Sequence, residues 1–207
     1  MQLAMPERDI LADSVQAADD LRIIALARTD PRAFGPLYNR YADPIYFFCY
    51  RRLNHADDAA DATSLVFTRA LEALPRFQPR PSDYGSTVRA WLFTIARRVV
   101  VDVQRRKRPQ SSIDAPNGFQ TGLLTDPEPG PEDLAVGRSE ADQLLLVLAA
   151  LPDRQRAVIE LRLSGLTMPE IAVALNQSVS ATKSLQVRAY RLLRELLRPS
   201  TDGECPP

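Results

Sequence analysis

The chain has 207 residues, of which 45% are hydrophobic and 25% charged, as is typical of a soluble globular protein. Only 8 residues are glycine and 7% are aromatic, which disfavours a β-sandwich or β-barrel, and long stretches of Ala, Leu, Arg and Glu predict an all-α fold. The 26 basic and 26 acidic residues give a net charge of zero, which by itself argues against a nucleic-acid partner.

The cysteines, the histidine and the length of the apolar runs argue against disulfide-rich, metal-binding and membrane-spanning proteins. Cys49 and Cys205 form no disulfide framework or zinc spacing, and the lone His55 has no Cys or His nearby, so we expect no metal and no cofactor. No apolar run approaches the roughly 18 residues of a membrane span. The N-terminus also lacks the pattern of a signal peptide, so we expect a cytoplasmic protein.

The first predicted unit is a flexible N-terminal arm over residues 1–20, which are polar and acidic with no strong periodicity. A helical domain is predicted for residues 21–108. In its first amphipathic segment, apolar side chains recur at three-and-four spacing between residues 34 and 48. Cys49 lies in this apolar run, which predicts a buried thiol.

Two further helices complete the first predicted domain. Asp57 and Asp58 open the second, where carboxylates stabilise the helix dipole, and Pro75 ends it. Residues 77–86 are rich in proline and glycine and are predicted to form a loop. The third amphipathic helix follows this loop and stops at Pro109.

The character of the chain changes at residue 109. Residues 109–135 mix proline with serine, glycine, asparagine and aspartate without any apolar period, which predicts an extended, mobile linker. A second helical domain is predicted for residues 136–199, followed by a tail at 200–207. The predicted layout is two small helical domains joined by a Pro-rich flexible linker.

The basic residues concentrate in two segments. Residues 89–108 carry seven Arg or Lys against Asp102, and residues 183–198 carry five against Glu195. Two such segments in an otherwise acidic chain predict two separate phosphate-facing surfaces.

The second domain contains a helix-turn-helix pattern. Thr167 can cap a helix, Asn176 tolerates the left-handed turn, and Ser180 is predicted to cap the next helix. The alternative from the residues alone is a plain helical hairpin with a solvated basic face. In the helix-turn-helix interpretation, the side chains that meet the DNA major groove are Ser180, Ala181, Thr182, Lys183, Gln186 and Arg188.

The basic helix of the first domain has aromatic residues at its start, including Trp91. Cations beside aromatic side chains suit single-stranded nucleic acid, since the bases can stack while the cations follow the backbone. The alternative is structural: Trp91, Phe93 and Ile95 have the spacing of a helix core, and arginines at a helix C-terminus favour its dipole.

No feature of the sequence predicts catalysis. Asp57, Asp58 and Asp61 have no histidine, nucleophile or metal ligand beside them, and no phosphate-binding loop, glycine fingerprint or catalytic triad is present. An enzyme is therefore not expected. The acidic helix either stabilises its own dipole or docks on a protein partner, and the residues alone leave both open.

Four stretches in order make the chain resemble the extracytoplasmic-function (ECF) group of bacterial sigma factors in the sigma-70 family, which keep only sigma regions 2 and 4. These stretches are residues 33–53, 57–77, 88–109 and 151–196. The sequence departs from the family pattern at Ser64-Leu65, at Arg98, where many members have Asn, and at Asn176, where Gly is common.

The resemblance implies binding to core RNA polymerase, through the clamp helices of its largest subunit, and to promoter DNA. It assigns polymerase binding to Asp57, Asp61, Ser64 and Phe67, with flap contact by Leu144, Leu148 and Leu151. It assigns the minus-ten element to Arg97, Arg98, Asp102, Arg105 and Arg106, and the minus-thirty-five element to the recognition helix. An anti-sigma partner is a further implication of the resemblance.

Two rival classes remain from the sequence. A conventional helix-turn-helix regulator would bind an operator alone, usually as a dimer on paired half-sites, and would leave the arginine-rich first-domain helix without a role. A purely protein-binding adaptor would have no DNA affinity even with polymerase present.

Overall fold

The computed structural model describes residues 7–79, 87–107 and 143–198, and this part of the chain is helical with no strand. The all-α prediction is confirmed. In chain order the helices are α1 (Glu7–Ala27), α2 (Gly35–Leu53), α3 (Ala56–Ala73), α4 (Thr87–Lys107), α5 (residues 143–149), α6 (Asp153–Leu163), α7 (Met168–Leu175) and α8 (Val179–Leu196). Short 3-10 turns at Pro31–Phe34 and Leu74–Arg76 lie before α2 and after α3.

Helix α1 corrects the predicted flexible arm at residues 1–20, because residues 7–20 are helical and residues 1–6 lie outside the described residues. The Asp20 carboxylate is buried, accepts a hydrogen bond from the Tyr41 hydroxyl and pairs with the Arg40 guanidinium. These tertiary contacts with α2 favour a helix in a segment whose own periodicity is weak.

The core of the first domain lies between α2, α3 and α4. Apolar side chains on α2 point inward at the predicted spacing, and Phe48 meets Phe93 of α4 edge-on, with ring centroids 5.6 Å apart. Cys49 is a buried thiol, as predicted. Its burial raises the pKa of the thiol to about 12. Helix α4 therefore positions its basic residues from a fixed apolar core.

The second domain has a small core of its own, which joins α6 and α8. Leu148, Leu151, Ile159 and Ala189 form a buried cluster with Leu192 and Leu193 packed against it. Other apolar residues of this domain belong to a cluster that is continuous with the core of the first domain; they are Ala157, Val158, Leu161, Leu166, Ile171, Ala174 and Leu175. Helix α7 packs against both α4 and α8, so the two domains lie against each other.

Ion pairs, most of whose members are buried, also join the domains. Arg89 of α4 donates two hydrogen bonds to the Glu170 carboxylate of α7, Nε to Oε1 at 3.0 Å and Nη2 to Oε2 at 2.9 Å. Arg52 of α2 pairs with Glu160 and, through Nη1 at 2.5 Å, with Oδ1 of Asp153. Arg89, Glu170 and Glu160 are buried, which separates these pairs from the weak ion pairs of an exposed surface.

The predicted linker at 109–135 and tail at 200–207 lie outside the described residues, as does most of the predicted loop at 77–86. In the described ranges, the longest helices are too polar to cross a membrane.

Candidate nucleic-acid and polymerase interfaces

The helix-turn-helix begins at Thr167, as predicted. The Glu170 carboxylate accepts hydrogen bonds from the backbone N–H of Thr167 at 2.7 Å and from its hydroxyl at 2.8 Å, which completes a capping box at the start of α7. The turn follows at Asn176, whose φ of 53° places it in the left-handed region, again as predicted. The N–H of Gln177 then bonds the carbonyl of Ala172 at 2.9 Å and closes the helix end.

The start of the recognition helix differs from the prediction by two residues. Ser178, not Ser180, is the N-cap of α8, and its hydroxyl accepts a hydrogen bond from the N–H of Ala181 at 3.1 Å. Ser180 lies inside the first turn, where its side chain is exposed. The shift leaves the Ser180 hydroxyl free of the capping role and available to an outside partner.

The exposed side of α8 contains most of the predicted groove-facing residues. Gln186 is half-buried and its amide donates to the Tyr190 hydroxyl at 3.3 Å, whereas Thr182 is fully buried and bonds the carbonyl of Ser178 at 3.0 Å. Burial corrects the prediction for Thr182, which holds the helix start in place. The predicted groove-facing residues that are exposed are Ser180, Ala181, Lys183 and Arg188, and we call this set the recognition face of α8.

The same face includes residues that the sequence analysis did not single out. Val179, Ser184 and Val187 line a shallow surface groove together with Ser180, Lys183 and Arg188. Helical spacing from Ser180 and Lys183 would have found Ser184 and Val187, since residues three and four apart share a face. Exposed valines beside cations resemble the apolar and charged mixture that contacts base edges and thymine methyl groups.

Helix α4 presents a basic stripe, defined as Arg98, Asp102, Arg105 and Arg106, in which each arginine lies three or four residues from Asp102. The three arginines are exposed. Arg69 of α3 donates from Nη1 to Oδ2 of Asp102 at 2.8 Å, and this hydrogen bond lowers the pKa of Asp102. The carboxylate stays charged at neutral pH and orients Arg69 toward the stripe.

Arg97 points elsewhere, because it is one residue out of register with the stripe. It is half-buried and lines a cavity of about 290 Å³ between the domains, together with residues of α6 and of the α7–α8 turn: Asp153, Arg154, Ala157, Leu175, Asn176 and Gln177. The structure thus separates Arg97 from the other predicted minus-ten residues.

The aromatic residues near α4 serve mainly as core. Phe93 is fully buried and Ile95 is nearly so. Phe77 is buried against the half-exposed Trp91, with ring centroids 4.6 Å apart. The structural alternative is therefore the better account of Phe93 and Ile95, and Trp91 is the partly exposed aromatic residue of α4.

Helix α3 carries an exposed stripe on which Asp57, Asp61 and Ser64 all lie, at helical spacing. Phe67 does not belong to it, because the ring is 4% exposed and packs on Tyr38 at 4.7 Å between centroids. Burial corrects the prediction that Phe67 contacts a partner directly. The stripe continues instead through Thr68 and Leu71, and the exposed Tyr38 borders it through Phe67.

The three leucines predicted to contact the polymerase flap also differ in their exposure. Leu144 is exposed, but Leu148 and Leu151 are buried in the small core of the second domain. Leu146 is 56% exposed and Leu197 at the end of α8 is 65% exposed. The sequence analysis missed these two and the neighbouring Leu196, which is also exposed, and all three are apolar side chains that a partner could contact.

Comparisons with known proteins identify both helical domains. Residues 37–110 match the family model of sigma-70 region 2, and residues 141–193 match the model of sigma-70 region 4. The ECF RNA polymerase sigma factor SigW of Bacillus subtilis is 30% identical over 183 residues, which cover 86% of this chain and 95% of SigW.

The ECF RNA polymerase sigma factor BldN of Streptomyces coelicolor is 35% identical over 169 residues, covering 80% of this chain and 60% of BldN, so the chain spans about three fifths of BldN. Among solved structures, CnrH in complex with the cytosolic domain of CnrY superposes with a TM-score of 0.65 at 27% identity, covering 86% of this chain and 96% of CnrH. With both sigma-70 regions in order and similarity over nearly the whole of SigW, the chain belongs to the ECF sigma factors of the sigma-70 family.

Proposed function

We infer that the chain binds core RNA polymerase, recognises the minus-ten and minus-thirty-five promoter elements, and promotes transcription initiation. The observation that carries this inference is the presence of both sigma-70 regions in one chain, each of which exposes a basic helix face. A conventional operator-binding regulator would need only the second of these faces. The proposed role involves no covalent chemistry, and it places the protein in the cytoplasm with the polymerase.

The recognition face of α8 is proposed to read the minus-thirty-five element as duplex DNA. Lys183 and Arg188 are exposed on one side of a helix that follows a well-formed turn, as the second helix of a helix-turn-helix requires. A good base contact by such a side chain discriminates by about 1–3 kcal/mol.

The basic stripe of α4 is proposed to bind the minus-ten element. Arg98, Arg105 and Arg106 are exposed cations on a rigid, core-packed helix, and Trp91 is a half-exposed aromatic residue nearer its start. Cations that follow the backbone and an aromatic ring that stacks on a base together stabilise melted DNA. Arg97 lies apart from this surface, in the cavity between the two domains.

The exposed stripe of α3 is proposed to dock on the clamp helices of the largest polymerase subunit. Asp57, Asp61 and Ser64 supply its polar part, and Leu71 with Tyr38 supplies an apolar part. A mixed surface of this kind suits a protein partner better than DNA, since its carboxylates repel phosphate.

A protein antagonist that binds the chain and withholds it from polymerase is also proposed, since the related CnrH was solved with the cytosolic domain of CnrY. Affinity purification from the native host, followed by mass spectrometry, tests this. A second stoichiometric protein besides polymerase is expected, and polymerase alone would contradict the proposal.

Run-off transcription with purified bacterial core polymerase tests the main inference. The chain is added to core polymerase on a library of candidate promoters, and new, discrete start sites are expected. The triple variant Arg97→Ala, Arg98→Ala, Arg105→Ala should abolish them.

A matched control removes three exposed arginines outside the proposed surfaces, Arg22, Arg32 and Arg76, each changed to Ala, and should transcribe like the wild type. Absence of new transcripts together with tight duplex binding by the chain alone would favour the conventional regulator instead.

A further inference from the structure

Helix α1 is joined to the segment after α3 by one long side chain. Arg28, which follows the last residue of α1, donates a hydrogen bond from Nη2 to the backbone carbonyl of Phe77. The two residues are 49 positions apart in the sequence. A hydrogen bond from a charged group is roughly twice as strong as one between neutral groups. Arg28 therefore restrains the backbone at Phe77 from a remote part of the chain.

The backbone from which the Arg28 side chain extends is itself held in place. Ala27, one residue earlier, is buried, and the N–H of Arg28 bonds the carbonyl of Ile24 at 3.3 Å. The Thr29 hydroxyl donates to the carbonyl of Leu26 at 2.9 Å. The guanidinium thus starts from a defined position at the end of α1, and its bond transmits that position to Phe77.

Phe77 in turn supports the indole ring of Trp91. Its N–H bonds the carbonyl of the buried Leu74 at 3.2 Å, which closes the 3-10 turn after α3. Its own ring is buried against Trp91, with centroids 4.6 Å apart and ring planes inclined by 43°. Because Trp91 is half-exposed, Phe77 covers part of the indole and leaves the rest at the surface.

The exposed part of Trp91 belongs to the same side of α4 as the basic stripe. Arg98 and Arg105 follow Trp91 by seven and fourteen residues, which is about two and four helical turns. Residues at this spacing share a helix face. The indole therefore lies about 10 Å along α4 from the first cation of the stripe. An aromatic ring at the end of a row of cations is suited to stack on an unpaired base whose backbone the cations hold.

We propose that Arg28 is a positioning residue for promoter melting, which holds Phe77 against Trp91 so that the indole stays fixed where an unpaired minus-ten base stacks on it. Arg28 acts through Phe77 and does not itself contact the DNA. The proposal rests on the proposed function, because stacking by Trp91 is part of it. It also gives α1 a role in the first domain beyond its own packing.

The emission of Trp91 measures its position directly, because it is the single tryptophan of the chain. In free, full-length Arg28→Ala protein, excited beyond the tyrosine absorption, the emission should shift to longer wavelength and acrylamide should quench it more strongly. The physical reason is that a less restrained Phe77 covers the indole less completely. Arg28→Lys keeps a cationic donor and should restore most of the wild-type signal. Arg22→Ala, at an exposed arginine on α1, is the matched control and should leave the emission unchanged.

The second measurement is binding of single-stranded minus-ten DNA by holoenzyme assembled from core polymerase and each variant. Arg28→Ala should weaken this binding by about three- to tenfold, which is part of what the loss of a stacked base costs, and Trp91→Ala by about tenfold or more. Binding of a duplex that carries only the minus-thirty-five element should be unchanged in both variants.

A double variant separates positioning from a general structural role. If Arg28 acts through the indole, Arg28→Ala combined with Trp91→Ala should bind the single strand no more weakly than Trp91→Ala alone. Circular dichroism shows whether each variant is folded. Should Arg28→Ala fail to fold, Arg28→Gln, which keeps part of the aliphatic stem, takes its place with the same expected directions.

Wild-type emission and wild-type single-strand binding in the folded Arg28 variants would overturn the positioning role, as would losses that simply add in the double variant. Failure of the wild type to produce promoter-specific transcripts would overturn the proposed function instead. The two failures are distinguishable, because the emission of the free chain requires neither polymerase nor DNA.

Discussion

Helices α4 and α8 carry the two proposed DNA surfaces, yet the fold treats them differently. Within Val179–Leu196, α8 fully buries only two small side chains, Thr182 and Ala189, and leaves its recognition face open. Helix α4 is packed against α2, α3 and α7, and its buried residues include Phe93. The open helix is suited to adaptable contacts with base edges, and the packed helix is suited to holding a fixed row of cations against strained, melted DNA.

The largest expected effect tests how strongly α4 depends on its core. Phe93→Ala removes a fully buried ring that packs on Phe48, and it should lower the free energy of unfolding by about 3–5 kcal/mol. Urea denaturation followed by circular dichroism measures it. Val187→Ala on the exposed side of α8 should change the same quantity by less than about 0.5 kcal/mol. An equal loss of unfolding free energy in the two variants would contradict the proposed difference between α4 and α8.

The next effect tests whether α8 reads bases. In the holoenzyme, Lys183→Ala should weaken promoter binding by about 1–3 kcal/mol and relax sequence preference at one minus-thirty-five position. Arg105→Ala on α4 should weaken binding about equally for all promoter sequences. It should also reduce the steepness with which the logarithm of the binding constant falls with the logarithm of the salt concentration by about 1. Titration against a set of single-base promoter variants at several salt concentrations separates the two. Sequence-independent loss in both variants would contradict base recognition by Lys183.

A smaller effect tests the start of α8. Ser178→Ala removes the hydroxyl that accepts from the N–H of Ala181, and it should cost about 0.5–2 kcal/mol of stability in thermal or urea unfolding. Ser180→Ala, two residues on and exposed, is the matched control and should cost less than about 0.5 kcal/mol. The reverse order would restore Ser180 as the cap.

The smallest effect concerns Cys49, which lies in the core beside α4. Burial raises the pKa of its thiol to about 12, so at pH 8 almost no thiolate is present to react. In Cys205→Ser protein a maleimide should label Cys49 only after denaturant is added. Arg89→Gln should show the same protection, because the Cys49 thiol lies in α2 and interacts with Thr63 of α3 inside the first domain. Rapid labelling of the native variant would show that α7 also supports that core.

The helix cap and the turn of the helix-turn-helix could be predicted from the sequence, because few residue types suit either position. Thr167 and Asn176 were identified because a capping hydroxyl and a residue tolerant of positive φ are needed at a helix start and at a tight turn. The choice between Ser178 and Ser180 was not, since two serines two residues apart can both cap, and packing decides between them. The helix at residues 7–20 was missed because its support comes from Arg40 and Tyr41, which are remote in sequence.

Burial also decided which candidate site residues reach a partner. Phe67 and Thr182 fit the expected patterns, yet their side chains point into the core. Helical spacing fixes which residues share a face, but not which face another helix will cover. The Arg89–Glu170 pair joins residues 81 positions apart, and no local pattern of charge predicts such a contact.

The two ends of that pair are unequal targets for mutation. Arg89 pairs with Glu170 across the two domains, whereas Glu170 also fixes the first turn of α7. Many replacements at Arg89 should therefore release the domains and leave both folded, but at Glu170 only glutamine should do so.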